Sequence, residues 1–415
     1  MINRSLPPLE LPESSPQLYA VLAKRIAETS DRRITFAEFM ELALYHPQYG
    51  YYSTQQAQGG IQSDFFTSPH LGSDFGELLA EQFAQMWQIL DRPRPFTLVE
   101  MGAGQGLLVQ DVLRYLHRHH FECFESLDYI IIEKSLALVA EQQQRFAKLA
   151  HDWGHLHWRT WEQIPTNSLV GCCFSNELVD AFPVHQVAIA SGTLQEIYVT
   201  LQDSTATGSD ATPSHVHEVL GAPSTPQLAE YFRLIGLPFP SDRYPDGYRT
   251  EVNLAALGWI STVADRLQQG YLLTIDYGYP AQRYYSPTRH QGTLQCYYQH
   301  AHHSDPYVAI GRQDITSHID FTALERQGER CGLQSFGLTQ QAIFLMALGL
   351  GDRMAALSNP KPDQSLQTLL QRREALRALI DPMGLGNFGV LIQHKGLSAD
   401  QQAQALTGLT TPPLA

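Results

Sequence analysis

The stretch Phe96-Thr-Leu-Val-Glu100-Met-Gly102-Ala-Gly104-Gln-Gly106-Leu-Leu restricts the fold more than any other part of the chain. A short apolar run delivers an acid, three glycines at alternate positions turn the chain, and a helix opens at its N-terminus. Open α/β folds bind ligands in this way, at the carboxyl ends of parallel strands. Glycines there let a ligand lie against the backbone. Spacing separates two cofactor classes. A dinucleotide fingerprint, G-x-G-x-x-G, needs a glycine three positions after Gly104, where Leu107 stands; Gly106 instead gives G-x-G-x-G, with Glu100 two residues upstream. The register favours S-adenosylmethionine over a nicotinamide dinucleotide. A ligand-free strand-to-helix connection would use the same glycines.

Around this turn, short apolar runs alternate with amphipathic helices, the pattern of βαβ units in a parallel sheet. Strands are predicted at Phe96–Glu100, Tyr129–Glu133, Leu169–Phe174 and Tyr271–Asp276, and helices at Leu107–Leu116, Ser135–Leu149 and Asn253–Leu267. Residues 1–95 read as a helical entry segment. In it Thr35 with Glu38, and then Asp74 with Glu77, head helices of i, i+3, i+4 periodicity. An aromatic, Gly-rich loop separates the two. Residues 96–182 then form the first part of the core and 251–395 the second. Between them, 183–250 is an insertion: a hairpin, His185–Ala190 and Thr193–Leu201, followed by a Ser/Thr/Asp/Gly stretch, Asp203–Ser214, read as a mobile loop. Further strands are expected at Gly292–Tyr298, Gln334–Leu338 and Asn387–Gln393, with helices after Asp320 and Ser365 and a frayed tail at 396–415.

Three other strand ends carry acids. Glu133 stands where a carboxylate accepts two ribose hydroxyls; it would equally serve as a cap for the helix from Ser135. In Ser175-Asn176-Glu177-Leu-Val-Asp180, Asn176 offers an amide to the cofactor. Glu177 and Asp180 share a face if the segment turns helically, where they would hold a cationic nucleophile or merely enrich a helix start in acids. Asp276-Tyr-Gly-Tyr279 repeats the arrangement, as substrate-side support or as a turn with core tyrosines.

Composition narrows the partners. Against 28 Lys and Arg stand 42 Asp and Glu, a net charge of −14, so a nucleic-acid or anionic-membrane partner is disfavoured and a basic one suits. Five cysteines without a CxxC pair, and 17 histidines without ligand spacing, indicate neither a disulfide framework nor a metal site. No apolar run reaches the length of a membrane span. A cytoplasmic location is the expectation. Hydrolase-elbow and P-loop motifs are missing.

With Ile34–Tyr52, Asp64–Pro69, Phe75–Gln82, Val99–Gly106, Asn176-Glu177 with Asp180, Pro183-Val-His185, Ile275–Gly278 and Asp314–Phe321 assembled, the chain resembles the MidA-like family of class I S-adenosylmethionine-dependent methyltransferases. That family is related to the mitochondrial arginine methyltransferase that assists respiratory complex I assembly. It departs from the family's usual pattern at Ser63 and at His70-Leu-Gly72. The resemblance implies a mostly parallel, seven-stranded Rossmann-like sheet with an added lobe, and S-adenosylmethionine as cofactor. It also implies ω-N-methylation of a protein arginine, giving symmetric dimethylarginine on a complex I-type subunit; a homodimer is compatible with it. The cofactor residues are then Glu100, Gly102, Gly104, Gly106, Glu133 and Asn176, and the catalytic candidates Glu177 and Asp180, with Asp276 and His185 secondary. Two other classes share these features. A NAD-dependent oxidoreductase would need the third glycine in another register, and a non-catalytic assembly protein would have no need of intact Glu177 and Asp180.

Overall fold

The structure, a computed structural model, describes residues 11–54, 67–202, 215–299, 301–358 and 365–412. Ser63, Asp64 and the stretch Asp203–Ser214 lie outside the described residues. Seven strands form one sheet in the order Gln334–Gln340, Gly389–Lys395, Leu267–Asp276, Leu169–Asn176, Phe96–Met101, Leu127–Ile132 and Leu156–Trp158. From Leu267–Asp276 onward neighbours run parallel, and Gly389–Lys395 is antiparallel to both strands beside it. This is the mostly parallel, seven-stranded α/β sheet the resemblance implies.

The central strands read as unbroken apolar runs because both faces are covered. Successive side chains point to opposite faces. Leu98, Cys172 and Leu273 pack under the helices Asp74–Ile89 and Leu107–His119, while Val99, Cys173 and Leu272 meet Leu254–Arg266 and Phe321–Arg330 on the other side.

A second, antiparallel sheet carries the inserted hairpin, His185–Ala190 and Thr193–Leu201, flanked by Arg249–Val252, Val216–Gly221 and a strand from the N-terminal segment, Arg33–Thr35. The N-terminal segment therefore divides. Thr35 accepts from the Glu38 N–H at 3.1 Å and starts the helix Phe36–Tyr45, whose buried face joins Val184 and Val199 of the insertion. Asp74–Ile89 belongs to the main sheet instead.

Two expectations need correction. Asp74 does not cap its helix: Ser73 occupies the N-cap position, its hydroxyl 2.9 Å from Glu77, and the Asp74 carboxylate is taken by Arg353 at 2.8 Å and Arg372 at 2.7 Å. Two guanidinium groups from distant helices outweigh a local N–H. The tail is not frayed up to residue 412. Ser398 caps a helical turn at Ala399–Gln402, Leu406 is fully buried, and the Gly408 N–H donates to Gln82 at 2.9 Å. The tail's few apolar residues conceal this docking in the sequence.

Candidate active site

One cavity of about 880 Å³ opens at the carboxyl ends of the parallel strands and gathers Glu100, Gly102, Gly104, Glu133, Asn176, Glu177, Asp180 and His185. Its size suits a cofactor and a side chain together.

The three glycines have different tasks, although all lie at positive φ: +72° at Gly102, +53° at Gly104 and +73° at Gly106. A Cβ on Gly102 would strike Leu178 at 2.7 Å, and one on Gly106 would strike Phe146 at 2.5 Å. These two serve turn and packing, and Gly106 does not line the cavity. At Gly104 a Cβ would meet nothing within 4 Å. Open space beside a bare backbone is what a ligand lying on the turn requires.

Glu100, one residue before the end of its strand, is 3% exposed, with its carboxylate 2.5 Å from the Tyr129 hydroxyl that donates to it. Burial pushes its pKa up to about 7, with the charge of Glu133 adding to the rise and the tyrosine opposing it. Glu133 follows the strand Leu127–Ile132 and accepts from the Ser135 N–H at 3.0 Å. Burial raises its pKa too, against hydrogen bonds from the backbone of Ser135, Gly104 and Lys134 and from Gln142. Glu133 thus faces the cavity and braces the start of the next helix, for which Ser135 is the cap.

The strand Leu169–Asn176 runs two residues beyond its predicted end, and Glu177 then takes φ +51° while its N–H donates to Ile275 at 2.9 Å. A non-glycine residue there is uncommon and costs roughly 1–2 kcal/mol. This kink, followed by one 3₁₀ turn at Val179–Ala181, aims Glu177 and Asp180 into one cavity; the α-helical turn expected from their spacing is not present. One Glu177 oxygen accepts from Asn176 at 3.0 Å and from the Ser68 N–H at 3.4 Å; the other is buried without a partner among the described residues. Asp180 repeats the pattern. One oxygen accepts from the Tyr277 hydroxyl at 2.6 Å and the other is buried and unpartnered.

Asp276, expected as a secondary catalytic acid, does not reach the cavity. It is fully buried and accepts from the N–H groups of Val179 at 3.0 Å, Asp180 at 3.3 Å and Tyr277 at 2.9 Å. Its task is to position the acidic turn. His185 does line the cavity, with Nδ1 2.7 Å from Glu196, a fully buried acid on the facing strand whose other oxygen accepts from the Ser224 N–H at 2.5 Å.

Sequence reasoning missed Glu196, Tyr277 as a holder of Asp180, and the wall supplied by the N-terminal segment. In that wall Tyr45 and Tyr52 stack at 5.3 Å; Tyr52 donates its hydroxyl to Asp314 at 2.8 Å and its carbonyl accepts from Ser135 at 2.8 Å. Lys134 sits 4.0 Å from the centre of the Tyr45 ring and 2.6 Å from Glu41. The adjacent pair Tyr51-Tyr52 was the available signal, but its partner Asp314 is 262 residues away.

The chemistry of the cavity wall is lopsided. Lys134 is its one Lys or Arg among the described residues and is paired with Glu41, while Glu100, Glu133, Glu177, Asp180 and Asp314 all face inward. Such a wall fits a sulfonium cation above the bare backbone at Gly104, with Glu133 within reach of a ribose.

Comparisons with known proteins agree. Residues 78–339 match the model of a family described as "Putative S-adenosyl-L-methionine-dependent methyltransferase". A Burkholderia thailandensis protein crystallised with S-adenosyl-homocysteine is 30% identical, with a TM-score of 0.78 over 95% of this chain and 98% of that one. Among curated relatives, the mitochondrial protein arginine methyltransferase NDUFAF7 homolog of Drosophila melanogaster is 28% identical over 95% of this chain and 90% of its own length. The human mitochondrial protein arginine methyltransferase NDUFAF7 is 25% identical over 88% and 81%. These relatives overturn the cytoplasmic expectation, since they are mitochondrial proteins. Unpaired cysteines indicate a reducing environment, which is not specific to the cytoplasm, so composition could not separate the two. The oxidoreductase and non-catalytic readings fall with the family match: the chain belongs to this family of S-adenosyl-L-methionine-dependent methyltransferases, and S-adenosylmethionine is its cofactor.

Proposed function

We propose that this methyltransferase modifies an arginine side chain of a protein, with symmetric dimethylation of a respiratory complex I-type subunit as the specific case drawn from the family resemblance. The observation that carries the reading is the pair Glu177 and Asp180. Each holds one carboxylate oxygen on protein donors and leaves the other buried and unpartnered at the cavity. Two such oxygens in one cavity offer the acceptors that the fork of a guanidinium needs, and a buried charge of this kind demands a cation. The curated relatives, named as protein arginine methyltransferases, support the same acceptor.

When bound, the cofactor supplies an electrophilic methyl group. The chain's residues then have three tasks. Positioning is the first, because in-line transfer needs the acceptor nitrogen within about 3–3.5 Å of the methyl carbon. The second is to draw the guanidinium's charge toward the carboxylates and away from the attacking nitrogen, since its pKa exceeds about 12. The third is to take a proton as the new bond forms, which Glu177 and Asp180 can do because burial raises both above the usual carboxylate range. Tyr277, Asn176 and Asp276 hold the two acids in place.

Mass spectrometry of arginine methylation in strains with and without the gene tests the reading. Dimethylarginine at defined protein sites should disappear on deletion and return with the wild-type gene. Loss of methylation at a different residue type, with arginine sites unchanged, would overturn it.

A further inference from the structure

The acids behind the kink form a cluster larger than the acceptor needs. Glu177 and Asp180 come from the end of one strand and Asp276 from the end of its parallel neighbour, where Asn176 and Ile275 are in register. All three converge on the single turn Val179–Ala181, Asp276 through the N–H groups of Val179 and Asp180. No counter-charge accompanies them among the described residues. Lys134 is committed to Glu41, and His185 to Glu196. What else faces the cluster is neutral or acidic: the hydroxyl of Tyr277 on Asp180, Tyr45 and Tyr52 from the N-terminal wall, Tyr297 and Asp314 from the antiparallel pair of strands Gln295–Tyr298 and Asp314–Thr316, and, on the turn Ser68–Leu71 whose first N–H reaches Glu177, His70, whose pKa burial lowers. Burial, with the nearby acids, raises the pKa of all four tyrosines, so they stay protonated and contribute no charge.

We propose that Glu177, Asp180 and Asp276 share at least one proton while no cation occupies the cavity, and release it when a sulfonium enters, so that binding S-adenosylmethionine expels a proton and binding S-adenosylhomocysteine does not. Three carboxylates around one buried turn cannot all ionise without a partner, and the proton belongs to the cluster and not to one residue. A nearby positive charge reverses the balance and the proton passes to the buffer. The demethylated product has no sulfonium and leaves the cluster protonated. Burial, and then the charge of Asp180, push Glu177 up to about 8, and burial pushes Asp180 up to about 6, which puts the exchange in the neutral range. The sign follows. Ionised acids favour the cation, so affinity for S-adenosylmethionine rises as pH climbs from about 6 to 8, and affinity for the homocysteine product changes less. The inference rests on the cofactor and is independent of the arginine reading.

Calorimetry of the full chain at pH 7, with each ligand in buffers of different ionisation enthalpy, counts the protons released. S-adenosylmethionine should release about half a proton or more beyond the count for S-adenosylhomocysteine. In Glu177→Gln, and independently in Asp180→Asn, most of that excess should vanish. The ligand's own amino group contributes equally to wild type and variants, so their difference isolates the cluster. Equal counts for the two ligands in the wild type, or an excess that persists in both variants, would overturn the proposal. Neither result bears on whether arginine sites lose methylation on deletion of the gene, so this proposal and the arginine reading fail separately.

Discussion

The two strand ends that meet in the cavity reverse the chain in the same left-handed backbone region but with opposite residue types. After Phe96–Met101 the turn is built from glycines, and Gly104 leaves open space over its backbone. After Leu169–Asn176 the left-handed position is occupied by Glu177, which keeps its side chain despite the strain. The first turn makes room and the second delivers charge. A fold that needed only to reverse the chain would put glycine at both, so the strained glutamate marks where a functional group outweighs about 1–2 kcal/mol of backbone cost.

Five substitutions test that contrast. The largest effect is expected on the charged side. Glu177→Gln and Asp180→Asn keep shape and lose charge, so each should lower methyl transfer by about 10² or more in a single-turnover assay, with affinity for S-adenosylmethionine within a few-fold of wild type. Near wild-type transfer in both would break the comparison.

An intermediate effect is expected on the open side. Gly104→Val puts a branched side chain into the ligand's space at φ +53°, and should weaken S-adenosylmethionine by about 10² while costing about 1–2 kcal/mol of stability. Gly106→Ala should do the reverse. Its Cβ meets Phe146 at 2.5 Å, so the melting temperature falls by the equivalent of about 1–3 kcal/mol and bound-cofactor contacts are left intact. Calorimetry and thermal melts separate the two, and equal affinity losses would show that the glycines do not divide their tasks.

The smallest effect is the most diagnostic of strain. Glu177→Asn places a residue tolerant of the left-handed region at φ +51° and removes a buried, repelled carboxylate; the ligand-free protein should gain about 0.5–1 kcal/mol in denaturant unfolding. A loss of stability would mean that Glu177 is structural.

How much of this was legible depends on range along the chain. The strand end at Asp276 and the helix cap at Thr35 follow from patterns within a few residues and could be read directly, the strand at Phe96 runs one residue past Glu100, and the helices expected from Ser135 and Asn253 start one residue later with those residues as their caps. The acids Glu177 and Asp180 were found, but by an incorrect route: helical spacing suggested the shared face that a kink and a 3₁₀ turn produce. Asp276 looked equivalent because sequence reveals a strand-end acid and not whether backbone N–H groups already surround it. Glu196 and Tyr277 have no local signature. Each acquires its meaning from a partner on another element, His185 across a hairpin and Asp180 across 97 residues.

Tyr52 shows how far the active site extends beyond the sheet that names the fold. Its carbonyl is bound to Ser135, two residues from Glu133, and its hydroxyl to Asp314. All seven strands of the main sheet lie after residue 95, and the family match begins at residue 78, so both omit this tyrosine and the wall around it. A fragment trimmed to the recognisable methyltransferase region would retain the glycine turn and the acids but lose the tyrosine whose two hydrogen bonds tie Ser135 to Asp314, and with it the wall that closes this side of the cavity.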